Sequence, residues 1–174
     1  MGRSSWKRAQ TFAELCELGA RFVEGRERSF PGWGAAHLDA ESAALVPVLA
    51  QLNRAGFLTL ASQPGTRRGS DGCEQRAFAS GFCRAADARK LRGLRVRCFA
   101  RGGPGRAGVA VTRKAGRARV LAGHNAFESE LELFRGEVGE RALAQLAESV
   151  YWSAWDPVWG REEVLWRELA RVSS

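Results

Sequence analysis

Between Phe12 and Phe22, apolar residues (Phe12, Leu15, Cys16, Leu18, Phe22) recur at helical spacing. Thr11 with Glu14 forms a capping box ahead of them, and Gly25 supplies a left-handed stop, so the pattern predicts a helix ending near Val23. Residues 26–38 are rich in glycine and proline and read as a loop, pinned to the core by Phe30 and Trp33. Asp39 is placed to cap a second helix that Gly56 ends. Pro47 lies inside that run and must kink or divide it, because its ring clashes one turn back and it donates no hydrogen bond. Strands are expected over Phe57–Ser62 and Gln75–Cys83, with a short basic helix over 84–92. In 94–101 alternation is strict, with Leu94, Val96, Cys98 and Ala100 on one side and Arg95, Arg97, Phe99 and Arg101 on the other. Residues 109–123 read as a hairpin turning at Lys114 to Gly116. The remainder is helical except for a short strand near Val150–Trp155, halted by Pro157. Val164, Leu165, Trp166, Leu169 and Val172 give the final helix a face that should dock on the core.

This order predicts an α+β fold: a mostly antiparallel sheet with helices packed on one face, in a single domain spanning 1–174 with its ordered core at about 11–170. Composition agrees with one core, since 174 residues at 45% hydrophobic content would be cramped as two domains. No run approaches the roughly 18 apolar residues of a membrane span, and the start lacks a secretory pattern, so no membrane partner and a soluble, cytoplasmic protein are expected. Cys16, Cys83 and Cys98 sit in apolar patterns and read as buried, while Cys73, in a Gly-rich loop, is the candidate exposed thiol. With no C-x-x-C pair and two distant histidines, no metal site and no cofactor are expected.

A net charge of +8 implies attraction to anions, yet arginine outnumbers lysine 24 to 3, a bias that GC-rich coding produces without any ligand. The densest basic region, 84–119, contains one aromatic residue, Phe99, where a nucleic-acid face would want stacking platforms. Weak non-specific nucleic-acid binding therefore stays open.

Three blocks stand out: Asp39-x-Glu41-Ser42, then Asn53-Arg-x-Gly-Phe-x-Thr-x-x-Ser-Gln-Pro-Gly65 followed by Gln75-Arg76-Ala77, then Asp156-Pro-Val-Trp-Gly-Arg161 with Leu165-Trp166. Together they resemble a family of small actinobacterial proteins without an assigned activity, across about Thr11 to Leu169. The resemblance implies one domain and carries over no catalytic residue.

P-loop, dinucleotide-binding, zinc-protease, nucleophile-elbow and deaminase signatures are all absent. Pro64-Gly65 suits a type II turn, but Ser62, Gln63 and Thr59 around it are polar beyond what a turn requires. If Leu58 and Leu60 face the core, Ser62 follows them, so Ser62 and Gln63 should be buried and hydrogen-bonded. Antiparallel pairing would bring Gln75 and Arg76 to the same sheet end, a setting for a small anionic or amide-bearing ligand. Asn53, Asn125 and Asp156 complete the candidate ligand-binding set. His124 precedes a helix, where it serves either as a cap with Asn125 or as an acid or base. Three readings follow: a binding domain with a polar, anion-compatible pocket near Ser62–Gly65; an enzyme on a nucleotide-like or other anionic substrate, using His124 as acid or base and Arg76 as clamp; and a basic nucleic-acid module.

Overall fold

A computed structural model describes residues 4–33, 38–101, 108–122 and 126–173. Among these described residues are six α-helices: α1 (Ser5–Arg8), α2 (Phe12–Val23), α3 (Val46–Arg54), α4 (Ala126–Glu132), α5 (Glu140–Ala147) and α6 (Glu163–Val172). Seven strands accompany them: β1 (Phe57–Gln63), β2 (Cys73–Gln75), β3 (Phe78–Cys83), β4 (Arg97–Arg101), β5 (Val109–Lys114), β6 (Arg117–Ala122) and β7 (Val150–Trp155). Every pairing between them is antiparallel, and the fold is α+β.

Helix α2 starts as its capping pattern dictates. The Thr11 hydroxyl accepts the Glu14 N–H at 3.2 Å, while the Glu14 carboxylate accepts from Gln10. Ordered structure begins before it, contrary to expectation: Trp6 of α1 is 2% exposed, and its indole N–H donates to the Ser29 carbonyl at 2.8 Å. Trp6, Phe22, Phe30 and Phe134 meet in edge-on and tilted ring contacts, which fix the 26–33 loop to the core.

Pro47 divides the second helical run. A 3-10 helix covers Ala40–Leu45, and α3 begins at Val46 with the proline in its first turn, where its missing N–H costs nothing. Asp39 stands at the cap position of the 3-10 helix, yet its side chain makes no capping bond.

The largest correction concerns the sheet. Gln75–Cys83 is not one strand but two, divided at Arg76–Ala77, and the strands form two sheets, ordered β1-β3-β7-β4 and β2-β5-β6. Residues 84–92 form only a 3-10 turn over Asp87–Leu91, and β4 starts at Arg97, three residues later than the alternation suggests. Arg95 and Arg97 do lie exposed, with Val96 buried between them. The hairpin turns at Ala115-Gly116, both with positive φ (48° and 79°), a turn whose twist matches its strands.

Strand β3 is buried on all six residues. On one side Phe82 meets Phe127, Phe134 and Tyr151 edge-on, and on the other Phe57 meets Trp152. Helix α6 docks as expected, with Leu165 and Leu169 fully buried. Cys16 and Cys83 are buried, but Cys98 is only half-buried, and so is Cys73.

Candidate functional site

The residues singled out from sequence separate into three places. Asn53 is fully buried and joins α3 to β1: its amide donates to the Leu49 carbonyl at 2.8 Å and the Thr59 hydroxyl at 2.7 Å. Its side-chain oxygen accepts the Thr59 N–H at 3.0 Å. Both residues are thus committed to structure. Phe57, Leu58 and Thr59 precede any irregularity and are buried because both faces of β1 are covered, while a bulge between Thr59 and Ala61 resets the alternation beyond them. The expected outer face of Phe57 and Thr59 is thus covered too, and after the bulge Ser62 pairs with Ala79 and no longer shares the face of Leu58.

Gln63 and Asp156 anchor the second place. Gln63 is 9% exposed; its amide donates to the Arg76 and Val111 carbonyls, each at 2.9 Å, and its oxygen accepts from the Thr112 hydroxyl. It links the two sheets where the chain crosses between them. Gln75 lies in the second sheet and pairs with Thr66 through two backbone bonds and a side-chain bond at 2.9 Å. Asp156 is fully buried and accepts a bidentate pair from Arg161 at 2.7 and 2.8 Å, plus the Val158 N–H. The Ser-Gln-Pro-Gly and Asp-Pro-Val-Trp-Gly-Arg blocks, ninety residues apart, meet here. A Cβ on Gly65 would stand 2.3 Å from the Arg161 carbonyl oxygen, and one on Gly160 (φ +68°) 2.9 Å from the Arg67 backbone.

An open cleft of about 1050 Å³ lies along this junction. Trp159 lines it, with the guanidinium carbons of Arg76 and Arg113 at 4.3 and 4.2 Å from its ring centroid. Arg113 is neutralised by Glu74, whereas Arg76 has no carboxylate partner among the described residues. Burial, and next the charge of Arg113, lower Arg76 below the usual arginine range, opposed by Asp156. Arg67 and Arg68 on the same cleft are exposed and form no ion pair among the described residues. Glu162 and Glu163, at the start of α6, also line the cleft. The sequence reading missed Arg67, Arg68, Arg113 and Trp159; the pairing of the two motif blocks would have pointed to them, but no local pattern announces it.

The third place holds Ser62, half-buried and separated from Gln63 onto the other side of β1. His124 and Asn125 lie outside the described residues. Among the arginines of 84–119, Arg84 pairs with Asp87, while Arg89, Arg92, Arg95 and Arg97 are exposed without ion pairs among the described residues. Phe99 packs edge-on against Trp155 at 5.9 Å. No group of three or more metal-ligating side chains occurs among the described residues, nor does a helix long and apolar enough to cross a membrane.

A family model for a domain of unknown function (DUF6919) matches residues 1–173. The chain belongs to that family. The family's description names no activity, so the site rests on its own geometry.

Proposed function

We propose that this DUF6919 protein is a binding domain whose cleft beside Pro64 and Gly65 takes a small anionic ligand. One observation supports this most: Arg67 and Arg68, without ion pairs among the described residues, stand beside the Arg76–Trp159–Arg113 stack, where positive charge exceeds its local compensation. An anion here would gain guanidinium hydrogen bonds, and the indole would offer a ring face. Glu162 and Glu163 favour a ligand that also carries hydrogen-bond donors. Gln63 and Asp156 hold the walls and do not meet the ligand.

Calorimetric titration at low salt with inorganic phosphate, citrate and adenosine monophosphate tests the reading. At least one should bind, and the Arg67→Ala/Arg68→Ala double variant should weaken it tenfold or more while leaving the unfolding temperature unchanged. No binding by any of the three, or equal binding by the double variant, overturns it. A single-stranded oligonucleotide bound with steep salt dependence, and released by changing Arg89, Arg92, Arg95 and Arg97 instead, would favour the nucleic-acid reading.

A further inference from the structure

Away from the cleft, a small cavity of about 30 Å³ opens where the 26–33 loop, the 3-10 helix and β1 meet. Its walls are mainly apolar and include the aromatic rings of Phe22, Phe30 and Trp33. Four polar side chains also line it: Thr59, already bonded to Asn53, and Asp39, Ser42 and Ser62. Ser42 is 2% exposed, yet its hydroxyl makes no hydrogen bond among the described residues, and neither does that of Ser62. Asp39 occupies a helix-cap position without capping and forms no ion pair among the described residues. Buried hydroxyls in native proteins normally find partners, and Asp at a cap position normally uses its carboxylate there. Here one buried hydroxyl, one half-buried hydroxyl and one exposed carboxylate have no partner among the described residues around the same cavity.

We propose that this cavity is a second binding site, for the head of a small organic amine. The volume suits one ammonium or methylammonium group, with the rest of the molecule outside. Serine hydroxyls accept the ammonium N–H bonds, the Asp39 carboxylate at the mouth neutralises the charge, and the faces of Phe30 and Trp33 attract a cation. An anion would be repelled by Asp39, and a neutral alkyl group would leave the buried Ser42 hydroxyl unmet. The site is independent of the cleft, since it shares none of the cleft's arginines.

Two-dimensional NMR titration with methylamine and propylamine, against 1-propanol and propionate as isosteric controls, decides the matter. Amines should shift the Trp33 indole resonance with millimolar affinity, and 1-propanol and propionate should not. Asp39→Asn should weaken amine binding at least tenfold, and Ser42→Ala severalfold, with the Arg67→Ala/Arg68→Ala variant binding amines as the parent does. Because Asp39 is exposed, its substitution leaves the core intact, so a loss of binding there reads on the ligand. Equal binding of propanol and propylamine, no amine binding, or an Asp39→Asn variant with parental affinity would each overturn the proposal.

Discussion

Asn53 uses both its amide N–H and its carbonyl oxygen inside the core, so its contribution is one of satisfied polar groups and not of volume. Replacing it by leucine would fill similar space while leaving the Thr59 N–H and hydroxyl without partners. The expected loss is about 2–4 kcal/mol, read from urea unfolding, against almost none for a surface asparagine. Ala115 presents the opposite case. It is the one non-glycine residue among those described with a positive φ, at 48°, in the first central position of the β5–β6 turn. Asparagine tolerates that conformation and suits such a turn before glycine, so Ala115→Asn should raise stability by roughly 0.5–1 kcal/mol. A lower midpoint in the same unfolding assay would show that the alanine is not strained.

At the scale of elements, α6 is core. Leu169→Ala should cost about 2–5 kcal/mol, the usual range for a leucine removed from a packed interior, and thermal unfolding would measure it. The helix was legible because its apolar spacing is local, and the same holds for α2, the hairpin turn and β7. What sequence could not supply was any feature decided by contacts far along the chain. The division of Gln75–Cys83 is the clearest example: the alternating pattern runs through Arg76, and only the pairing of β2 with β5 pulls the strand away. Alternation in β1 misled for a similar reason, since a bulge leaves no trace in composition. Of the candidate site residues, Gln63, Arg76 and Asp156 do come together, while Ser62 was separated from them by one pleat. Asn53 and Thr59 stand among the candidate ligand-binding residues, but their side chains bond to each other inside the core.

For the whole molecule, charge is arranged so that acids are scarce and well used. Glu24 receives Arg54 and Arg26, and these hydrogen bonds lower its carboxyl to about 2, well below the usual carboxylate range. A depressed folded value stabilises above the unfolded one, near 4.5, and that contribution is lost as pH falls toward 2. The pair is largely solvent-screened, so the effect should stay under about 1 kcal/mol, with Glu24→Gln flattening the stability profile between pH 5 and 2 and salt diminishing the difference. A profile unchanged by the substitution would assign acid sensitivity to other carboxylates. The strand order carries a consequence for biosynthesis. Because β7 lies between β3 and β4, the strand made last belongs at the centre of the larger sheet. On the ribosome, β4 must emerge and wait without its neighbour while some fifty further residues are polymerised. The nascent chain therefore cannot close its main sheet until β7 has been made, so Phe82 and its neighbours stay without their full cover through the synthesis of everything between β4 and β7.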